Sequence, residues 1–208
     1  MSPAHVLEPT YQAIRHRLMM GQWLPGFHLD TARLADELGV SKSPVRDSLN
    51  HLAGERMVEF EAGVGFHVPR LDETTLQDLL DLNLGLLRAA VGTGPIAPLA
   101  VTDAGRFEGA ADCFVWLARN SGNAELVAAI GALNDRLAAV RRLEPLVLVD
   151  SAATLTALDN ALVNPADRSR LDEILARYHA EWRRHAGAFV RLLAIGSDIA
   201  RGGHGAPG

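Results

Sequence analysis

The chain has a single cysteine, Cys113, in 208 residues. No disulfide can close within it, and no cluster of thiolates can hold a metal. Lysine is nearly absent: Lys42 stands alone and the other basic residues are arginine. Aromatics reach only 5%, too few for a surface on which single-stranded nucleic acid would stack. No apolar run approaches the roughly 18 residues that a membrane span needs. The N-terminus lacks the basic and apolar stretches of a secretory signal. These absences lead us to expect a soluble, cytoplasmic chain with no membrane partner. Catalytic patterns are missing too: there is no Gly-rich phosphate loop, no nucleophile elbow and no paired carboxylates on a cleft-like segment. We expect no enzyme.

With 48% hydrophobic residues, a folded core is expected, and the length suits one large or two small domains. Periodicity changes near Pro69-Arg70. Residues 1–70 contain short elements of changing type, residues 71–196 read as helix after helix, and the glycine-rich 197–208 reads as a disordered tail. Acidic residues outnumber basic ones by 25 to 20, which argues against a general polyanion binder.

In the first region Tyr11, Ile14, Leu18 and Met19 form the apolar stripe of one helix. Asp30-Thr31 caps a second, carrying Leu34, Ala35 and Leu38, and Gly39 ends it. Ser41 is placed to cap a third, with Val45, Leu49 and Leu52 on its apolar face. Two short helices joined by a Gly-Val-Ser turn have the spacing of a helix-turn-helix. Met57, Val58 and Phe60, a turn at Ala62-Gly63-Val64-Gly65, and Phe66-His67-Val68 read as a β-hairpin, or wing. Lys42, Ser43 and Arg46 lie off the apolar face at the N-terminal end of the third helix, the end that enters a major groove. Its free amides favour phosphate. Arg46 suits bidentate pairing to guanine O6 and N7.

Residues 11–68 resemble the winged-helix DNA-binding domain of GntR-type transcriptional regulators. Tyr11, Ile14, Gly21, Leu24-Pro25-Gly26, Leu29, Leu34-Ala35, Leu38-Gly39-Val40-Ser41, Pro44-Val45-Arg46, Leu49, Leu52, Val58, Gly63, Gly65 and Val68 carry the likeness, in order and without gaps. The resemblance implies a DNA-contact set of Arg33, Ser41, Lys42, Ser43, Pro44 and Arg46, with Gly63 or Gly65 letting the wing approach the minor groove. Two positions depart from the family pattern. Ala32 stands where arginine is frequent, and Lys42 replaces an arginine whose forked contact lysine cannot make. Residues 1–70 hold seven basic and eight acidic side chains, so modest non-specific affinity is expected.

The second region reads as an antiparallel bundle of about six helices, making the chain mainly α. Its apolar stripes run through Leu76, Leu79, Leu80, Leu84 and Leu87, through Phe107, Ala111, Phe114 and Leu117 on a helix over 104–118, and through Leu171, Ile174, Leu175, Tyr178, Trp182 and Phe189. The likeness extends here to the helical effector domain of the FadR-like subgroup, through Leu117-Ala118, Ser121-Gly122-Asn123, Leu126 and Leu137. That resemblance implies a homodimer and a small organic acid or related metabolite as effector. Many such domains hold a divalent ion through one Asp and three His. In register those positions fall on Ala110, Phe114 and Leu155, with only His179 near a ligand position, so we expect no metal and no cofactor. Phe114, His179, Trp182 and His185 are the effector-pocket candidates. His179 and His185 also fit as satisfied core or interface histidines, and Cys113 as a small buried side chain.

The reading is a ligand-responsive, sequence-specific transcription repressor that binds double-stranded DNA at an inverted repeat as a homodimer. The alternative is a protein–protein module built on a winged helix that has lost DNA binding.

Overall fold

The computed structural model describes residues 4–93, 96–98, 107–163 and 165–202. It is mainly helical, with one two-stranded antiparallel hairpin. The chain divides into two compact units. The first gathers Met1–Leu71 with Asp135–Arg142 and a segment starting at Val190; the second contains Asp72–Asn134 and Leu143–Phe189.

The first unit contains α1 (Ala4–Met19), α2 (Thr31–Leu38), α3 (Lys42–Gly54), β1 (Glu59–Glu61) and β2 (Gly65–His67). Helix α1 begins seven residues before Tyr11 and runs through Pro9. Proline there removes one amide donor, and the apolar stripe that marks the helix starts only after it. Helices α1 and α2 both pack on α3. Ile14, Leu18, Leu34, Val45, Leu49 and Leu52 interlock in one core with Trp23, Leu29, Met57, Val58 and Phe66. Packing of this apolar face, rather than intrinsic propensity, stabilises helices as short as α2. Arg15 of α1 is ion-paired with Asp135 in the same unit.

Two chain reversals position α3. Asp30 caps α2 by accepting from the Arg33 amide at 2.7 Å, and that bond holds its carboxyl below the usual range. At the other end Gly39 adopts φ 65°, ψ 32°, a left-handed conformation that costs a residue with a Cβ about 1 kcal/mol or more. The Val40 amide then donates to the Ala35 carbonyl at 3.0 Å, closing the turn into α3.

The second unit is built from α4 (Glu73–Gly92), α5 (Ala110–Asn120), the first part of α6 (Ala124–Arg141), α7 (Glu144–Val147), α8 (Ser151–Val163), α9 (Arg168–Arg184) and the start of α10 (Ala186–Gly202). Helix α9 is central, packed against α4 and α8. Seven helices follow residue 71 among the described residues, against about six from the periodicity: α7 is a single turn, and the stripe from Leu171 to Phe189, which reads as one helix, is divided at His185 into α9 and α10. The helix expected over 104–118 begins at Ala110, because Gly109 is extended and acts as its N-cap; residues 104–106 lie outside the described residues. The tail expected to be disordered from residue 197 is helical to Gly202. Gly196 alone costs a helix only about 1 kcal/mol, and the run of glycines starts at Gly202. Residues 203–208 lie outside the described residues.

Candidate nucleic-acid interface

Helix α3 buries Val45, Ser48, Leu49 and Leu52. Its remaining face is polar and exposed: Lys42, Ser43, Arg46, Asp47 and Asn50. The two faces follow from one 3.6-residue repeat. Ser41 is extended at the cap position and makes no side-chain cap bond, so its hydroxyl is not consumed by the helix. Pro44 is half-buried in the first turn, where its missing N–H leaves no helical bond unmade. The Ser48 hydroxyl donates to the Pro44 carbonyl at 2.7 Å. Neither Lys42 nor Arg46 has a hydrogen-bond or ion-pair partner among the described residues. An unpaired guanidinium on an exposed helix end presents its full fork of donors to an incoming acceptor.

Arg33 is more committed. Its Nε lies 3.2 Å from Glu37 Oε1, and its guanidinium sits 5.5 Å from the Phe27 ring centroid. Glu37 also accepts from Arg17 at 2.7 Å, so DNA would compete with two partners for Arg33.

The wing pairs Glu59 with His67, Phe60 with Phe66 and Glu61 with Gly65. The return strand is bonded on its other edge as well: Leu29 N–H donates to the Phe66 carbonyl at 2.8 Å and Val68 N–H to the Phe27 carbonyl at 2.9 Å. Gly63 and Gly65 have φ of 84° and 102°, so both favour glycine for backbone reasons. Space distinguishes them. A Cβ on Gly63 would meet nothing within 4 Å, whereas one on Gly65 would lie 3.0 Å from His28 Nε2. Phe60 and Val64 are 61% and 52% exposed, and Glu59 and Glu61 flank Phe60 on β1.

Asp47, Asn50 and His28 were not among the sequence candidates. Asn50 follows Ser43 by seven and Arg46 by four residues, so extending the same helical repeat reaches it; an asparagine there has the donor and acceptor that pair with adenine. No sequence signal points to His28, whose partner is a backbone carbonyl 36 residues away.

The effector-pocket candidates are divided in the second unit. Phe114, His179 and Trp182 are fully buried. The Phe114 ring stacks on His179 at 5.7 Å between centroids and meets Tyr178 edge-on at 5.6 Å. His179 Nδ1–H donates to the Leu175 carbonyl at 2.7 Å. Its Nε2 lies 3.0 Å from the buried Asn83 Oδ1. Of the positions aligned with metal ligands, Ala110, Phe114 and Leu155 carry no lone pair, and among the described residues no three His, Cys, Asp or Glu side chains group as a metal site. The residues do not fit the ion. Burial, then the charges of Asp159 and Asp112, push the Cys113 thiol far up, away from the reactive thiolate.

His185 lies elsewhere, beside a cavity of about 680 Å³ lined by the α7–α8 turn and α9. Val147, Leu148 and Val149 supply apolar wall, and Arg177, Arg184 and His185 supply nitrogen donors. Arg184 is ion-paired with Glu181; Arg177 is exposed and unpaired among the described residues.

Residues 8–68 match the family model of bacterial regulatory proteins, gntR family. The chain is 37% identical over 67 residues to the Nta operon transcriptional regulator of Aminobacter aminovorans, a match covering 32% of each chain. It is 29% identical over 87 residues to the HTH-type transcriptional regulator McbR of Escherichia coli, covering 41% of this chain and 39% of that one. The chain thus spans only 32% and 39% of these two relatives, both named as transcriptional regulators. A solved putative GntR regulator from Rhodococcus superposes with a TM-score of 0.71 at 18% identity, covering 86% of this chain and 96% of the other. E. coli McbR/YncC superposes with 0.58 at 19% identity, covering 86% and 98%. The two superpositions show a shared fold of winged helix plus helical domain. The likeness to the gntR family of bacterial regulatory proteins is carried by residues 8–68.

Proposed function

We propose that the protein is a sequence-specific DNA-binding transcription regulator, a repressor that binds an inverted-repeat operator as a homodimer and responds to a small-molecule effector. The observation that carries the DNA reading is the exposed N-terminal face of α3, where Lys42 and Arg46 are unpaired among the described residues. A dimer is supported by a second stripe on α4, opposite its core face: Leu82, Gly85 and Ala89 are exposed there. The effector reading is supported by the cavity beside His185, where an apolar wall and Arg177 suit an organic acid. FadR-like ancestry is supported by the Ser121-Gly122-Asn123 match. Effector binding need only favour one spacing of the two recognition helices.

The acidic, apolar wing favours a second reading, in which Phe60 and Val64 dock a protein. One experiment separates the two. A duplex selected by the protein from random sequence is titrated with parent, Arg46→Ala and Lys42→Ala chains. Arg46→Ala is expected to cost about 1–3 kcal/mol and relax specificity at one base pair. Lys42→Ala should weaken all sequences alike and lower the salt slope by about one. Equal binding of a selected duplex by all three chains overturns α3 as the recognition helix, whereas failure to select any duplex sinks the DNA reading and leaves protein docking.

A further inference from the structure

We propose that His28 is a latch that fixes the tip of the wing, a positioning residue for whatever the wing contacts. The wing turn is closed by the Val64 amide donating to the Glu61 carbonyl at 3.1 Å. That leaves the Val64 carbonyl itself, at the exposed tip, without a partner on the hairpin. His28 supplies one from outside: its Nε2 lies 3.0 Å from the Val64 oxygen. A carbonyl cannot donate, so Nε2 carries the proton. Both the imidazolium and the Nε2–H tautomer of neutral histidine have it, so the latch closes in either charge state.

Two further observations tie the contact to these residues. The backbone of His28 is bridged to His67 of the return strand, with the Leu29 and Val68 amide bonds on either side. The main chain at residue 28 therefore stays in place whatever side chain it carries, and only the ring reaches the tip. Gly65 makes that reach possible, since a Cβ there would stand 3.0 Å from Nε2. The ring thus joins the segment before α2 to the turn between β1 and β2. Freed from it, the tip samples other positions, and binding through the tip weakens by the fraction of time it is misplaced.

The test uses the full chain in four forms: parent, His28→Phe, His28→Gln and Gly65→Ala. Phenylalanine keeps a ring and loses the donor, whereas glutamine carries an N–H donor at the same reach. Amide hydrogen exchange at Gly63, Val64 and Gly65 reads the tip directly, without DNA. Exchange is expected to rise about threefold to tenfold in His28→Phe and Gly65→Ala, the scale of one net hydrogen bond, and to return to within about twofold of the parent in His28→Gln. Melting temperatures should fall by no more than about 2–4 °C in His28→Phe, the scale of one net hydrogen bond at an exposed side chain, and stay level in His28→Gln. Unchanged exchange in His28→Phe overturns the latch, as does failure of His28→Gln to restore it. The DNA arm rests on the function proposed above: affinity for the selected duplex should fall in His28→Phe, by no more than the factor by which exchange rises, and recover in His28→Gln. Affinity unmoved while exchange rises overturns the role in binding. A parent that selects no duplex overturns the DNA reading alone, and the exchange measurements still decide the latch.

Discussion

Tyr11 offers a measurable test of how α1 is held to the far end of α3. Its ring is buried and stacks on His51 at 4.8 Å between centroids. Its hydroxyl lies 2.8 and 2.9 Å from the two carboxylate oxygens of Glu55. Replacing Tyr11 by Phe removes only the oxygen, so packing is conserved and the hydrogen bond to a charged acceptor is lost. Such bonds contribute about 1.5–3 kcal/mol. Glu55 remains 32% exposed, so water can replace part of the loss, and about 1–2 kcal/mol is expected at pH 7 from urea denaturation. High pH supplies an independent check. Burial first, then the Glu55 hydrogen bond and charge, push the Tyr11 phenol from 10.0 up to about 12. A group raised on folding contributes stability below its unfolded value and loses it as pH rises through the folded one. The parent should therefore lose about 1–2 kcal/mol relative to Tyr11→Phe between pH 10 and 12. A Tyr178→Phe background leaves Tyr11 as the only tyrosine, so its ionisation can be followed by absorbance in the same samples. Equal stability at pH 7, with parallel curves up to pH 12, would refute the clamp.

Two further outcomes follow from the helical unit. Phe114→Ala should cost about 3–5 kcal/mol by calorimetry, because the fully buried ring packs on His179 and Tyr178 and leaves a cavity behind; a loss under 1 kcal/mol would mean the site collapses freely. Cys113 should resist a thiol reagent at pH 8 until denaturant opens the unit, since the thiol is buried and pushed up; stoichiometric labelling of the native chain within minutes would contradict that.

The winged helix was legible in the sequence because its signals are local. Asp30, Gly39 and Ser41 mark helix ends by backbone chemistry that each residue type carries with it. Val45, Leu49 and Leu52 fix the inner face of α3 by spacing alone, which also fixes the outer face holding Lys42, Ser43 and Arg46. Where geometry depends on distant partners, reading failed. Asn83 looks like a surface residue in a leucine-rich helix, yet it is fully buried against His179, 96 positions away. Shared spacing put His185 with Tyr178 and Phe189, but α9 ends at Arg184 and His185 is its C-cap. The helical repeat stops there, so His185 turns to the cavity while Phe114, His179 and Trp182 stay in the core. The start of α5 was misplaced because Phe107 continues the apolar stripe beyond the point where Gly109 interrupts the backbone.

The stacking of Phe114 on His179 has a consequence for how the helical unit answers its surroundings. A fold clamped by a resident ion gains stability in proportion to the logarithm of that ion's free concentration, so scarcity or a competing chelator loosens it. Two rings in contact obey no such mass action. Their contribution is set when the chain folds and is the same in a metal-starved cell as in a replete one. What varies it is temperature, because burial of apolar surface weakens on cooling. With Phe114 in that place, this contact answers to heat and cold rather than to the supply of an ion.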